Sequence, residues 1–276
     1  MRLSWLPVSE FSALLSGHTS IGTWLDEAAT LGFTAVDASV LFFDQGAMTP
    51  EQLRRGANDR GLGIAVLNTY TDFTHPDPHV RDTERARFED HMDVAARLGA
   101  RMIRVTAGQA HPELSRDLGV QYAVDTLTWA AERALSAGVR AVFENHSKPG
   151  VWSYADFAHP ADIFLEIAAK LAAAPIGILF DTANADARSD DALAILDEVA
   201  HRVECVHIAD TAARGELRPT LIGAGVAPLR PIFSRLSRLH YNGWFSIEEN
   251  SGDSRRGIRH ALSIVRKLWE ASPCSS

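Results

Sequence analysis

Four polar side chains interrupt apolar runs in the second half of this sequence: Glu144 in VFENH, Asp181 in LFDTAN, His207 in CVHIAD and Glu248, followed by Glu249, in FSIEEN. Each comes after largely apolar positions, at the depth where a buried strand would end. Carboxylates gathered there would repel one another and resist ionisation. A divalent cation removes that difficulty. Three carboxylates and one imidazole form a mostly hard oxygen set with one nitrogen, suited to Mn²⁺, Mg²⁺, Co²⁺ or Zn²⁺ and poorly suited to Cu(I) or an iron–sulfur cluster. One divalent ion is expected, with manganese favoured, and Glu144, Asp181, His207 and Glu248 as its ligands.

Something must bring these four together, and the rest of the chain supplies a pattern that would. Short apolar or β-branched runs begin near Arg2, Ala35, Gly63, Met102, Arg140, Ile176, Val203 and Trp244. Amphipathic segments separate them, over 22–31, 50–60, 80–98, 120–137, 161–171, 190–200 and 228–239, with a last one over 254–269. Several carry end signals: Thr49 and Pro50 as N-cap and first helical residue, and Gly32, Gly61, Gly99 and Gly138 after a last turn. Eight repeats of strand then helix predict an α/β fold, a single (β/α)8 TIM barrel over 1–276, with about the last six residues as a flexible tail. An open doubly wound sheet would usually show a glycine-rich phosphate turn after its first strand, and Pro7-Val8-Ser9-Glu10 offers none. The longest irregular stretches, 42–48, 71–79, 109–119, 147–160 and 211–227, all follow strands and would share one rim of the barrel.

Residues two apart on a strand share a face. If Glu144 points inward, so does Val142, while Ala141 and Phe143 face helices; Asp181 takes Leu179 and Gly177 inward with it, and His207 takes Cys205. On the last strand, Glu248 brings Ser246 inward and leaves Phe245 and Ile247 to pack outside. Choosing Glu249 would reverse this. Because the outer face of a barrel strand is usually apolar, parity favours Glu248.

Composition narrows the function classes. The 276 residues are 46% hydrophobic and 22% charged, with 27 Lys plus Arg against 35 Asp plus Glu, for a net charge of −8. That balance argues against a general nucleic-acid binder. No run is long and apolar enough for a membrane span, and the start lacks the core of a signal peptide, so a cytoplasmic location is expected. Cys205 in an apolar run and Cys274 near the end exclude a disulfide scaffold.

The strings VFENH, LFDTAN, VHIAD with a later Gly223-Ala224-Gly225, and GWFSIEEN resemble the last four strand ends of the xylose-isomerase-like TIM barrel superfamily. That group includes ketose 3-epimerases, hydroxypyruvate isomerase, inosose dehydratase and endonuclease IV. The resemblance implies that the residues matching Glu144, Asp181, His207 and Glu248 bind one divalent metal, and that Glu144 and Glu248 are the catalytic acid/base pair. The expected activity is a metal-dependent isomerase or epimerase acting on a ketose or related keto-sugar through a metal-stabilised enediolate. A dehydratase of an inosose or keto-sugar is the alternative, because the same intermediate can expel a β-hydroxyl. The chemistry has a plain rationale: a carbon-bound proton beside a carbonyl leaves only if the developing charge is stabilised, and carboxylates on two sides can then take one proton and return another.

The chain also departs from the family pattern. Asn184 stands where epimerases have a histidine, and Gly150 where they have a second glutamate. Arg214 and Arg218 are candidates for a substrate-binding arginine, neither at the matching spacing. His146 shares the parity of Glu144, Trp152 is one of the aromatics (with Trp24, Phe43, Tyr70 and Phe73) that could wall a sugar pocket, and Asn68 ends the third strand. These give the substrate-binding set His146, Asn184, Arg214, Arg218, Trp152 and Asn68. Three carboxylates and a 2+ ion leave a charge near −1, which suits a neutral sugar or polyol; a phosphorylated ligand would need Lys148, Arg214 or Arg218. An endonuclease IV-like hydrolase would require histidines at the ends of the third and fourth strands, where Asn68-Thr69-Tyr70 and Thr106-Ala107-Gly108 stand. A non-catalytic binding barrel and homo-oligomerisation stay open.

Overall fold

The computed structural model describes residues 1–273, apart from the side chain of Ser254. Among these, eight parallel strands close into a barrel in sequence order: β1 Arg2–Leu6, β2 Ala35–Ser39, β3 Gly63–Asn68, β4 Met102–Val105, β5 Arg140–Glu144, β6 Ile176–Asp181, β7 Val203–Ile208 and β8 Trp244–Glu248. The first and last strands pair from Arg2↔Trp244 to Leu6↔Glu248, which closes the barrel. Around it run α1 Phe11–Leu15, α2 Ile21–Thr30, α3 Leu41–Asp44, α4 Pro50–Asn58, α5 Pro78–Leu98, α6 Arg116–Ser136, α7 Ala161–Lys170, α8 Ala192–Val199, α9 Leu229–Arg238 and α10 Ser254–Glu270.

Alternation along the strands separates two cores. Val142, Leu179, Cys205 and Trp244 join Ala35, Ala65, Val66 and Met102 inside the barrel. Phe143, Phe180, Val206, Phe245 and Ile247 face the helices. Phe143 stacks on Phe164 of α7 at 5.1 Å, and Phe245 on Phe233 of α9 at 5.2 Å. Each such ring, fully buried, contributes about 3–5 kcal/mol against truncation to alanine.

The end signals act as the sequence implies. Thr49 and Gln52 form a reciprocal capping box with Pro50 at the first helical position. Gly99 ends α5 in the left-handed conformation at φ 67°, which glycine adopts without a Cβ penalty. The irregular stretch expected over 109–119 is shorter, because Ser115 caps a helix that starts at Arg116. Gly119 therefore lies inside α6, where the Phe157 ring occupies the place of a Cβ. Part of 42–48 is likewise helical, as α3.

Of the expected tail, residues 274–276, Cys274 among them, lie outside the described residues; Ser272 is buried and its Oγ donates to Leu268 O. No helix among the described residues is long and apolar enough to cross a membrane.

Candidate metal centre and active site

The strand order carries Glu144, Asp181, His207 and Glu248 to the C-terminal ends of β5, β6, β7 and β8. One candidate ligand atom from each lies within 4.8 Å of those of the others. His207 Nδ1 stands 3.1 Å from both Glu144 Oε1 and Glu248 Oε2. The turn after β6 fixes Asp181: its Oδ1 accepts from Ala183 N at 2.8 Å and Asn184 N at 2.7 Å. Asn145 grips the same backbone from both sides, donating to Asp181 O and accepting from Asp181 N. Glu249 faces away, with Oε2 accepting from Ser9 Oγ at 2.7 Å.

Charge is concentrated here on side chains that are mostly buried. Burial alone would raise Glu144, but the charges of Arg104, His146 and His207 outweigh it and hold the carboxyl at about 2. Burial would lower His207, yet Glu144 and Glu248 push it up to about 10. Asp181 goes well above the carboxylate range, through burial and then the Glu248 and Glu144 charges. Glu144 Oε2 and His207 Nε2 are buried with no hydrogen-bond partner among the described residues. Three carboxylates, an imidazole and two orphaned polar atoms in one cluster fit a divalent cation, which would take charge and lone pairs that no side chain now satisfies.

A cavity of about 370 Å³ opens on this rim, with Glu144, Asp181, Glu248, Tyr70, Arg104 and His146 on its wall. Asn184 and Lys148 also line it. His146 stands edge-on to Trp152, with Nδ1 3.6 Å from Asp156 Oδ2.

A family model described as xylose isomerase-like TIM barrel matches residues 25–268. The chain belongs to that family. A provisionally named hydroxypyruvate isomerase of Streptomyces coelicolor is 27% identical over 241 residues, spanning 82% of this chain and 84% of the relative. An inosose dehydratase of Geobacillus thermodenitrificans is 22% identical over 262 residues, spanning 85% and 83%. Among solved structures, an IolI protein with a bound zinc atom superposes with a TM-score of 0.82 at 15% identity, over 98% of both chains.

Within this xylose isomerase-like barrel, several candidates for substrate contact have other partners. Arg214 pairs with Asp186 at 3.1 Å and donates to Ser189 O and Asp190 O. Arg218 pairs with Glu216 at 3.5 Å, and neither arginine lies on the cavity wall. Their loop turns both guanidinium groups outward, a direction that spacing does not encode. Asn68 is fully buried behind the wall, bonded to Ala38 O and to Arg104. Trp152 donates Nε1 to Tyr70 O at 3.0 Å and lines a neighbouring cavity of about 350 Å³. Trp24 and Phe73 pack in the core, against Trp5 and Phe88.

Other polar groups escaped the sequence reading. Arg104 of β4 reaches Glu144, its Nε 3.3 Å from Oε2. Asp37 of β2 is fully buried inside the barrel and accepts from Ser4, Ser246 and Val66 N. Asp210 accepts from the backbone N–H groups of Gly223, Gly225 and Ala227, and so ties down the loop after β7. The signal for Asp210 was present: an acid next to a strand end, with Gly223-Ala224-Gly225 later in the same loop, where a Cβ on Gly225 would meet the Asp210 carboxylate.

Proposed function

We propose that this family member is a divalent-metal-dependent isomerase or epimerase of a ketose or related keto-sugar, with Glu144, Asp181, His207 and Glu248 as ligands and Mn²⁺ as the favoured ion. The observation that carries the reading is the convergence of four ligand atoms within 4.8 Å at the wall of a sugar-sized cavity. The named isomerase and dehydratase relatives support the reaction class, and the zinc in the IolI structure supports a divalent ion. A bound divalent ion would act as a Lewis acid towards adjacent substrate oxygens, making the neighbouring C–H more acidic.

The chain's own groups do the rest. Glu144 and Glu248 approach from different strand ends, and one removes a carbon-bound proton while the other returns a proton to the adjacent carbon or the opposite face. The Glu248 side chain is 26% exposed against 2% for Glu144, so Glu248 is the freer of the two to meet substrate. The Arg104 charge beside it favours the ionised form of Glu144. Tyr70, Leu6 and Phe11 give the cavity an apolar side that limits water. The inosose dehydratase relative favours one second reading, in which the same deprotonation is followed by loss of a β-hydroxyl as water.

Incubation with ketoses, inososes and 3-keto-sugars in D₂O tests these readings. Solvent deuterium incorporated without loss of water is the expected result; a product lighter by water selects the dehydratase, and no exchange with any of them contradicts both.

A further inference from the structure

Asn145 and Thr182 stand directly after two of the four clustered residues, Glu144 and Asp181. Both are buried, and neither lines the cavity. Each reaches sideways to the end of the next strand. Asn145 Nδ2 donates to Asp181 O at 3.0 Å while Asn145 Oδ1 accepts from Asp181 N at 2.7 Å. Thr182 Oγ1 donates to Ala209 O at 2.7 Å and accepts from Ala209 N at 3.0 Å, and Thr182 N donates to His207 O at 3.1 Å.

The two side chains take over where the strand pairing runs out. β5 and β6 pair in register only as far as Glu144↔Leu179, short of Asp181, and β6 and β7 only as far as Asp181↔His207. Pairing one side chain with both the N–H and the C=O of a single residue fixes height and rotation together, which one hydrogen bond does not. Such a brace matters here because the ligand atoms lie within 4.8 Å of one another, and carboxylates that close repel before an ion arrives. Clamps between the strand ends oppose that spreading. Glu249 supplies the contrast: it follows Glu248 in the same way but reaches Ser9 after β1, where none of the four ligands lies.

We propose that Asn145 and Thr182 are positioning residues that set the spacing of Glu144, Asp181 and His207 for the divalent ion, one joining β5 to β6 and the other β6 to β7. This rests on the metal-site reading above, and it gives two side chains that are not ligands a part in metal affinity.

Calorimetric titration with Mn²⁺, with the electron paramagnetic resonance spectrum of the bound ion as a report on ligand geometry, separates positioning from plain stability. Thr182→Val, which keeps the volume and loses the hydroxyl, should bind Mn²⁺ about tenfold more weakly, the range for groups that orient metal ligands, with an altered spectrum; Thr182→Ser should restore both. Asn145→Asp keeps the acceptor, loses the donor and adds a negative charge beside the cluster, so positioning predicts weaker binding where charge alone predicts tighter. Should Thr182→Val not fold, Asn145→Asp decides. Thr34→Val removes a similar hydroxyl bond at the opposite rim, from Thr34 Oγ1 to Leu3 O, and should bind as the wild type does. Wild-type protein that takes up no Mn²⁺ overturns the metal reading and this proposal together. Wild-type affinity and spectrum in folded Thr182→Val or Asn145→Asp, tighter binding by Asn145→Asp, or an equal loss in Thr34→Val overturns this proposal alone.

Discussion

Glu248 and Glu249 are consecutive, yet their carboxylates serve opposite sides of the barrel wall: Glu248 Oε2 lies 3.1 Å from His207 Nδ1, whereas Glu249 Oε2 accepts from Ser9 Oγ at 2.7 Å. Glu249 Oε1 accepts from Ser251 N at 2.8 Å, and its carboxylate fills the space over Gly257 of α10. One glutamate thus faces the cluster and its neighbour fastens the start of α10 to the chain after β1. Glu248→Gln should bind Mn²⁺ at least about tenfold more weakly with little change in unfolding free energy. Glu249→Gln should keep the metal and lose about 1–3 kcal/mol of stability, the range for hydrogen bonds to a buried charged group. Metal titration and urea denaturation of the pair check both halves.

Protons compete for the same cluster. His207, pushed up to about 10 by Glu144 and Glu248 against burial, is protonated at neutrality without metal. Relative to the ordinary imidazole value of 6.5, that shift stabilises the metal-free fold fully below pH 6.5, and the stabilisation is lost as pH rises through about 10. Metal binding requires the neutral ring, so affinity must rise with pH over the same window. Calorimetry with Mn²⁺ at pH 7 in buffers of different ionisation enthalpy should report release of about one proton or more per ion. Release near zero would contradict the assignment of His207 as a ligand.

Gly119 lies within α6 against the Phe157 ring. In an open helix, alanine for glycine stabilises by about 1 kcal/mol. Here the new methyl group meets the ring, so Gly119→Ala should destabilise, by about 1–3 kcal/mol as overpacking does. Thermal unfolding gives the sign directly.

Asp210 gathers three backbone N–H groups from the loop whose Leu217, Pro219 and Thr220 line the cavity. Asp210→Ala should lose about 2–4 kcal/mol and raise KM more than it lowers kcat, since the loop shapes the cavity and supplies none of the four clustered side chains. Steady-state kinetics on the substrate identified by exchange would show this split.

The strands were legible because each is a short apolar run with the parity of a buried sheet, and every run expected from the sequence begins where a strand begins. Glu144, Asp181, His207 and Glu248 stood out for the same reason, as polar residues ending apolar runs. Arg104 did not: inside MIRVTAG an arginine can snorkel outward as easily as face inward, and only the neighbouring strand, with Asn68, settles its direction. Arg214 and Arg218, which pair with Asp186 and Glu216, illustrate the opposite limit. They belong to a loop whose path is set by Asp210, so their sequence distance from His207 said nothing of where their charges point. Helix starts before Val120 were hidden because Ser115 caps a turn without apolar periodicity.

The most direct test is the metal content of the chain. Protein purified without chelator and equilibrated with Mn²⁺ should hold about one ion per chain, and Asp181→Asn and His207→Ala should each lose most of it while remaining folded. Wild-type protein that holds no ion, or folded variants that keep a full complement, would contradict a metal centre at the ends of β5 to β8.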